Sequence, residues 1–312
     1  MIQQKCAICE SNNYEVVYKE NFDIKKINSR VFSARRLPDR VHYRMVRCKN
    51  CNLVFSDPIL EYDKIEKLYA KSFTSYDKHL ENLKETYGYY LKLLPCHPRP
   101  DRGSREKQLD SRFHGNDNPT LLEIGCGNGF FLEEAKRQGY DIYGVEPGKP
   151  SVDKARPDIK KNIKNDIFKA KMFKKNSFDV ICCFQTFDHI PNPNAILAEC
   201  YKILRKGGLI LFLNHDIGAW QNKLMGEKSP IIDIEHTYLF NKKTMRKIFE
   251  KHGFKVLEVK SSFNIHHLSY WLHLFPIPNF LKIPLIKFLD KTGIGKIKLK
   301  LNPGNLVLIA EK

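Results

Sequence analysis

Short apolar runs alternate with amphipathic stretches from residue 120 to about residue 215. The amphipathic stretches place apolar side chains at helical spacing, whereas the apolar runs have the length of buried strands. The predicted strands are TLLEIGC, DIYGVE, FDVICCF and LILFLNH, and the predicted helices are FFLEEAKRQG, PSVDKAR and AILAECYKILRKGG. Another helix and strand follow in 241–262, and 305–312 forms a last strand. This alternation predicts βαβ units in a doubly wound, mainly parallel α/β sheet.

The rest of the chain divides by its local pattern. Residues 1–57 hold short extended runs and two cysteine pairs, which predicts a small, zinc-ribbon-like unit. Residues 58–94 show helical spacing and predict a helical leader or cap. Residues 95–118 are rich in Pro, Gly, Arg and Asp and predict a flexible insertion. The main domain is then 119–264, and 265–312 forms a lid segment followed by the final strand.

Composition and charge narrow the class of protein. The 312 residues are 42% hydrophobic and 28% charged, which is typical of a globular enzyme. The first residues lack the pattern of a secretory leader, and no apolar run is long enough to span a bilayer, so we expect a cytoplasmic protein. The net charge of +18 indicates an anionic partner, which can be a nucleic acid, a membrane surface or a phosphorylated substrate. Because the lysines are spread along the chain, the charge does not choose among these partners.

A glycine-rich turn in LLEIGCGNGFF (121–131) gives the strongest chemical signal. Gly125, Gly127 and Gly129 permit a tight turn from a buried strand into a helix whose amino end can approach a ligand. A dinucleotide-binding turn would place its third glycine where Phe130 stands. An acidic residue, Glu123, also lies inside the strand. Both details argue against a nicotinamide cofactor.

This stretch resembles the E/D-x-G-x-G-x-G motif of class I S-adenosylmethionine (SAM)-dependent methyltransferases. The resemblance implies a Rossmann-like, seven-stranded, mainly parallel sheet and SAM as cofactor. It further implies that Glu123 binds the methionine end of SAM. The turn backbone would accommodate the carboxylate and ribose, and its residues are Gly125, Cys126, Gly127 and Gly129.

More acidic residues follow in the order that this family shows. Glu146 ends the second strand, where the resemblance implies hydrogen bonds from both ribose hydroxyls. Asp166 would accept the adenine amino group, and Ile167 would pack on the adenine ring. We also expect Gln185, which follows the strand FDVICCF, to contact the cofactor.

The two Cys-x-x-Cys pairs predict a metal site. Cys6 with Cys9, and Cys48 with Cys51, can each bring two thiolates to one tetrahedral Zn²⁺. Such a closed site is structural rather than catalytic, and a redox role is a weaker alternative. The segment VRCKNCNLVFSDP (46–58) resembles the zinc-knuckle leader of a methyltransferase subgroup, several members of which act on sugars or cell-surface intermediates.

Three histidines are candidates for the general base that methyl transfer to oxygen or carbon requires. His189 follows the fourth strand of the sheet and has Asp188 beside it as a possible orienting group. His215 follows the fifth strand, and His236 lies in DIEHTYLF (233–240). The tandem pair at 266–267 is expected at the surface or in a lid.

Residues 265–292 are aromatic, basic and interrupted by prolines. They could line a pocket for a large or lipid-linked acceptor, or form a lid that packs on the sheet. A third interpretation is peripheral contact with the inner face of the membrane, with Trp271 and Phe275 inserted and lysines at the headgroups.

The combined prediction is a SAM-dependent methyltransferase that acts on oxygen or carbon of a small molecule or a sugar or cell-surface intermediate. One alternative is an RNA methyltransferase, which the charge and the zinc unit permit. Against it, the segment FQTFDHIPNP (184–193) has no RNA-specific motif such as NPPY. The other alternative is a non-catalytic SAM-binding scaffold. Neither the acceptor nor the oligomeric state follows from the sequence.

Overall fold

The computed structural model describes residues 1–22, 40–71, 80–94, 118–274 and 278–312. Within these ranges the strands are β1 (Tyr14–Tyr18), β2 (Met45–Cys48), β3 (Val54–Ser56), β4 (Thr120–Ile124), β5 (Asp141–Val145), β6 (Ile163–Lys164), β7 (Phe178–Phe184), β8 (Leu204–His215), β9 (Tyr238–Leu239), β10 (Lys255–His267) and β11 (Lys298–Glu311). The helices there are α1 (Tyr62–Ala70), α2 (Leu80–Lys92), α3 (Phe130–Arg137), α4 (Lys149–Asp153), α5 (Pro157–Lys160), α6 (Pro193–Ile203), α7 (Trp220–Met225), α8 (Lys242–Lys251), α9 (Leu268–Leu274) and α10 (Asn279–Thr292).

The larger sheet has seven strands in the order β10-β11-β8-β7-β4-β5-β6. The pairs from β8 to β6 are parallel, and β11 runs antiparallel to both of its neighbours. The predicted doubly wound, mainly parallel sheet is therefore confirmed. The chain leaves the central strand β4 in one direction and returns to β7 on its other side, and ligands bind at such a reversal of strand order.

Helices cover both faces of this sheet because the central strands are apolar on both sides. Every residue of β7 is buried. One face carries α2 and α3, with Tyr87 and Phe131 packed against Val180. The other face carries α6 and α8, with Leu197 and Phe249 in its core. Each face has its own buried cluster, as expected when a parallel sheet lies between two helical layers.

Some boundaries differ from the prediction: β10 extends to His267, β11 begins at Lys298 rather than at residue 305, and one predicted helix is shorter. The helix predicted to run through AILAECYKILRKGG ends at Ile203, and Leu204 already pairs with Phe178 as the start of β8. Leu204 has extended backbone, with φ −71° and ψ 138°, so the helix stops there and the strand begins at once. The apolar residues of this stretch therefore divide between a helix and a strand.

The smaller sheet joins the amino-terminal region to the main domain. Its order is β1-β2-β3-β9, and β9 comes from within the range 119–264. Phe55 of β3 stacks on Tyr238 of β9 with ring centroids 5.8 Å apart. Cys6 and Cys48 belong to the same buried cluster as the larger sheet. The two regions consequently share a sheet and a core.

The region after β10 divides into a buried and an exposed helix. Trp271 of α9 is buried, and its Nε1 donates to the Leu299 carbonyl over 3.1 Å. The expectation that Trp271 inserts into a membrane is therefore wrong. In contrast, α10 has no buried residue, and Phe280 and Phe288 are exposed by 74% and 61%.

None of the helices in the described ranges has the length and apolarity needed to cross a bilayer. Phe275 lies outside the described residues, as does all but the last residue of the insertion predicted at 95–118.

Candidate active site

The glycine-rich turn joins the end of β4 to α3. Gly125 has a φ of 76°, and a Cβ there would lie 2.4 Å from the Thr186 hydroxyl oxygen. Gly129 has a φ of 75°, and its Cβ would lie 2.7 Å from Cγ2 of Ile159. Both positions combine left-handed backbone with close neighbours, so they require glycine. A Cβ at Gly127 would meet nothing within 4 Å of the described protein, which leaves open space beside the turn.

Glu123 is buried at the end of β4 with one uncompensated oxygen. Only 2% of the residue is exposed, and its Oε2 has no hydrogen-bond partner among the described residues. Burial, and then the charge of Glu146, raise the pKa of Glu123 well above its usual value. A cationic ligand would stabilise the ionised form of such a buried, unpaired carboxyl group. The amino group of SAM supplies such a cation, so the residue fits the predicted cofactor.

Glu146 follows β5 and closes the other side of the turn. Its Oε2 accepts from the Gly127 amide at 2.9 Å, and its Oε1 accepts from the Gly148 amide at 2.7 Å. Burial raises the pKa of Glu146, and these two hydrogen bonds oppose the rise. The carboxylate is therefore held in a fixed orientation on the cavity wall.

The other predicted cofactor residues take different positions. Ile167 and Gln185 line the cavity, but Asp166 does not. The Asp166 side chain pairs with Lys169 at 2.6 Å and accepts from the Ile167 amide at 2.8 Å. Cys126 is buried beneath the turn, where a Cβ added at Gly144 would lie 2.7 Å from its sulfur. Its side chain therefore supports the turn from below.

Gln185 shows backbone strain at the end of β7. Its φ is 50°, which is uncommon for a residue with a side chain. Its Oε1 is buried without a hydrogen-bond partner in the described part of the chain. Strain and an unsatisfied oxygen together are typical of a residue positioned for a ligand.

One cavity of about 1210 Å³ extends from the glycine-rich turn to a group of histidines. Its lining at the turn includes Glu123, Gly125, Gly127, Asn128, Glu146, Ile167, Phe168 and Gln185. Its lining at the other end includes Tyr69, His189, His215, Asp233, Glu235, His236, His266 and Tyr270. The volume exceeds the roughly 300–1,000 Å³ that is usual for a small-molecule site, so the cavity has room for a cofactor and an acceptor.

The three candidate histidines meet around Asp188. Nδ1 of His215 lies 2.6 Å from Oδ2 of Asp188, whereas Nε2 of His189 lies 3.7 Å from Oδ1. The His236 ring lies 4.7 Å from that of His189 and 4.8 Å from that of His215, centroid to centroid. The Tyr69 hydroxyl lies 3.2 Å from Nδ1 of His189. Thus Asp188 forms its hydrogen bond with His215, not with the adjacent His189.

Burial and charge set the protonation states of this cluster. Burial opposes ionisation of Asp188, but the charge and hydrogen bond of His215 hold its pKa well below the usual range. Burial lowers the pKa of His189. Burial and then the neighbouring His189 lower the pKa of His236 well below the usual value. One ionised carboxylate therefore faces imidazoles of which at least two are neutral at pH 7.

Several residues of the cavity were not among the predicted cofactor-binding, general-base or metal-binding residues. His266 is buried and lines the cavity, so of its two expected positions the surface is excluded, and a position in a lid stays a prediction. Glu235 and Asp233 also line it, and Tyr69 reaches it from α1. The only sequence signal for Glu235 is its position next to His236. No local pattern identifies His266 or Tyr69, because long-range packing brings them to the cavity.

The four predicted metal ligands also converge. Their sulfur atoms all lie within 4.8 Å of one another, with Cys6 and Cys51 at 3.3 Å and Cys9 and Cys48 at 3.4 Å. A tetrahedral Zn²⁺ with bonds of ~2.3 Å places its sulfurs about 3.8 Å apart, inside this range. The two pairs form similar turns, in which the amides of residues 10 and 52 donate to the carbonyls of Cys6 and Cys48. The arrangement fits a four-thiolate zinc site.

The strand order, the glycine-rich turn and the two glutamates beside it define a class I SAM-dependent methyltransferase. The chain belongs to the methyltransferase domain family, whose family model matches residues 99–259.

Curated relatives include the ubiquinone biosynthesis O-methyltransferase of Shewanella pealeana, 26% identical over 130 residues, which are 39% of this chain and 55% of that protein. The enzyme of the same name from Vibrio cholerae is 27% identical over 131 residues, 39% of this chain and 54% of that protein. The chain thus spans about half the length of the curated relatives it matches.

A solved structure of the complex between the Haloferax volcanii Trm112 methyltransferase activator and a methyltransferase contains a similar chain. Its TM-score is 0.50 at 16% identity, covering 75% of this chain and 92% of that one. This likeness concerns the fold.

Proposed function

We propose that this protein transfers a methyl group from SAM to an oxygen, or to a carbon next to a carbonyl, of a small molecule bound in the cavity. The observation that carries the proposal is the Asp188–His215 pair, in which His215 lines the same cavity as Glu123 and Glu146. A cofactor end and a proton-accepting end therefore face each other across one space. The shared name of the curated relatives, which describes O-methylation, also favours oxygen.

The cofactor end consists of residues that match the parts of SAM. When bound, SAM supplies a methyl group on a positively charged sulfur, which a nucleophile attacks as the carbon–sulfur bond breaks. Glu123 would hold the amino group of the methionine end, and Glu146 would accept from the ribose hydroxyls. Ile167 would pack on the adenine, while the backbone of Gly125 and Gly127 allows close approach.

The proton-accepting end is assigned to His215. In this pair Nδ1–H of His215 donates to Asp188, which fixes the tautomer and leaves a lone pair on Nε2. The His215 side chain is 25% exposed and lines the cavity, so an acceptor can reach it. The ring would take the acceptor proton, and Asp188 would stabilise the resulting cation. His189 and His236 line the same space as candidates for positioning the acceptor.

The test uses zinc-replete protein and SAM with an isotopically labelled methyl group. Phenols and catechols, nucleotide sugars and RNA are offered separately as acceptors. We expect label transfer to one class of small molecule. His215→Asn should lower kcat by about 10²–10⁴-fold, the usual contribution of a general base, without changing the Kd for SAM. His267→Ala is the matched control, because His267 does not line the cavity.

Two outcomes would reject this proposal. Transfer to RNA alone would favour the RNA methyltransferase. SAM binding without transfer to any acceptor would favour the non-catalytic scaffold.

We also propose that Cys6, Cys9, Cys48 and Cys51 hold a structural Zn²⁺. Four thiolates leave no open position, so the ion would stabilise the fold rather than take part in chemistry. Metal analysis should find one zinc per chain bound at this cluster. A Cys48→Ser variant that keeps the same amount of bound zinc would contradict the assignment.

Contact with an anionic membrane is a second proposal, supported by exposed apolar surface. Trp220 and Leu224 line the cavity yet are exposed by 69% and 78%, so they lie at its opening. In α10, Phe280 and Phe288 are exposed beside lysines at 282, 287 and 291. Large exposed aromatics among basic residues favour a surface of anionic lipids. An acceptor with an apolar part could then reach the cavity from that surface.

Co-sedimentation with lipid vesicles tests this proposal. The protein should bind phosphatidylglycerol vesicles more strongly than phosphatidylcholine vesicles. The double variant Phe280→Ser/Phe288→Ser should lose binding, whereas Leu257→Ser, an exposed apolar residue of β10, should keep it. Equal binding by the double variant would reject the assigned surface.

A further inference from the structure

Three side chains at the histidine end of the cavity have the arrangement of metal ligands. An oxygen of Asp188 and one ring nitrogen each of His189 and His236 all lie within 4.8 Å of one another. Bonds of ~2.0–2.2 Å to a divalent ion place neighbouring ligand atoms about 3–3.5 Å apart. Small side-chain rotations bridge that difference. Asp188 and His189 are adjacent in the chain, whereas His236 comes from a distant segment, and the fold brings its ring close to the other two side chains.

Two of these polar side chains each bury an atom that accepts and donates no hydrogen bond within the described residues. Oδ1 of Asp188 and Nδ1 of His236 have no hydrogen-bond partner among the described residues. Asp188 is 1% exposed and His236 is 6% exposed, so bulk water does not supply the missing hydrogen bonds. Burying such atoms unpaired is costly, and they remain where a ligand completes their bonding.

His189 and His236 can each direct one ring nitrogen towards an ion while the other ring nitrogen contacts a protein group. The His236 ring interacts with the backbone carbonyl of Ile231, while its Nδ1 has no partner within the described residues. Nδ1 of His189 faces the Tyr69 hydroxyl, and its Nε2 faces Asp188. Metal-bound histidines show this pattern, in which the second nitrogen is held by a carbonyl or another polar group.

The surroundings are acidic, which favours a cation. Glu235 and Asp233 line the same end of the cavity, and the charges of both, after the effect of burial, raise the pKa of the Tyr69 hydroxyl. Asp188 adds a third carboxylate to this end. A cation placed among them would be stabilised by all three.

The donor set selects the kind of ion. Two imidazoles and one carboxylate suit Zn²⁺, Fe²⁺, Co²⁺ or Ni²⁺, whereas Mg²⁺ and Ca²⁺ prefer oxygen ligands. Three protein ligands also leave open positions, as in catalytic rather than structural sites. His189 and His236 line the cavity, so those positions face the space for the acceptor.

We propose that Asp188, His189 and His236 bind a divalent transition-metal ion that receives an oxygen of the acceptor. The chemical role rests on the proposed methyl transfer, but the metal site itself does not. The ion would make the acceptor hydroxyl more acidic, and His215, held by the other carboxylate oxygen of Asp188, would take the released proton. Acceptors with two adjacent oxygens, such as catechols, could use two positions on the ion.

The experiment titrates Co²⁺ into protein whose four-cysteine cluster already holds zinc. We expect one further equivalent to bind, with visible d–d bands and no thiolate-to-cobalt charge-transfer band. His236→Gln and Asp188→Asn should each weaken binding by at least the ~10–100-fold that loss of a supporting metal-site residue causes. His267→Ala should bind like the parent protein. Circular dichroism establishes that each variant is folded.

The outcomes separate this site from the proposed function. Cobalt binding that both substitutions abolish, without methyl transfer to any acceptor, supports the metal site and rejects the function. Methyl transfer by protein that holds only the one zinc ion and binds no cobalt rejects the metal site and leaves the function standing. Cobalt binding unchanged in folded His236→Gln also rejects it.

Discussion

Replacing Glu123 with Gln should stabilise the protein without SAM and remove its high affinity for SAM. Glu123 is 2% exposed, and burial together with Glu146 raises its pKa well above the usual value. The fold therefore buries a carboxyl group whose Oε2 has no hydrogen-bond partner in the described residues. A bound cation would supply that partner. Glutamine has nearly the same shape and no charge to bury.

The size and pH dependence of this effect follow from linkage. The folded pKa of Glu123 lies above the unfolded value near 4.5, so the folded protein binds the proton more tightly than the unfolded chain does. Wild-type stability contributed by this group is present at low pH and falls as the pH rises towards the folded pKa. Glutamine does not titrate, so the variant's advantage grows over that interval. A buried polar group without a hydrogen-bond partner destabilises a fold by about 1–3 kcal/mol. We therefore expect the free energy of unfolding of Glu123→Gln at pH 8 to exceed that of the wild type by this amount.

The assay is urea unfolding of zinc-replete protein at pH 5 and pH 8, with and without SAM. At a SAM concentration 100 times the wild-type Kd, the free energy of unfolding of the wild type should rise by about 2.7 kcal/mol. The free energy of unfolding of Glu123→Gln should hardly change. Glu146→Gln is the matched control. It should also lose the SAM effect, but it should be less stable without SAM because its side chain accepts two backbone hydrogen bonds.

Three results would refute this reasoning. A Glu123→Gln variant that is less stable than wild type at pH 8 would show that the carboxylate is satisfied in the free protein. A stability difference that shrinks as the pH rises would have the wrong sign. Undiminished stabilisation by SAM would remove Glu123 from the cofactor site.

The remaining predictions concern backbone, metal and core. Gly129→Ala should destabilise the protein by about 1–3 kcal/mol in urea, because its φ is 75° and Ile159 lies 2.7 Å from the new methyl group; calorimetry should show weaker SAM binding. Cys48→Ser, or zinc chelation, should lower the Tm of the whole protein, because the zinc region shares a sheet and a core with the main domain. Phe187→Ala should cost about 3–5 kcal/mol in urea, because this buried ring stacks on Phe240.

The sequence predicted the elements whose signal is local. The apolar runs that became β4, β7 and β8 are mostly buried, β5 is buried at three of its five residues, and helices alternate with these strands as expected. The glycine-rich turn was also predictable, because Glu123 and Gly129 belong to one continuous segment. In such a segment each residue's role depends on neighbours a few positions away. The seven-stranded sheet could be inferred because this local pattern recurs in a known family.

Contacts between distant segments were not predictable in the same way. β9 pairs with β3 through only two residues, 238 and 239, which carry no visible strand signal. This pairing places strands from residues 1–57 and 119–264 in one sheet. The division of the chain into two separate units at these boundaries therefore stays a prediction. The hydrogen bond from His215 to Asp188 likewise joins the end of β8 to the 3₁₀ turn that follows β7. The sequence placed both residues at the same sheet edge, but the adjacent His189 was an equally reasonable partner.

The two ends of the cavity differ in how the chain builds them, and this difference has a functional consequence. The cofactor end comes mainly from consecutive strand–turn–helix units, so its geometry is fixed by local structure. The acceptor end combines Tyr69 from α1, His236 from the loop before β9, and His266 near the end of β10. A change in any one of these segments can alter the proposed acceptor site without moving Glu123 and Glu146, the residues proposed to bind SAM. The same sheet can therefore serve different acceptors, and knowing the cofactor leaves the acceptor to be determined from the geometry of these distant segments.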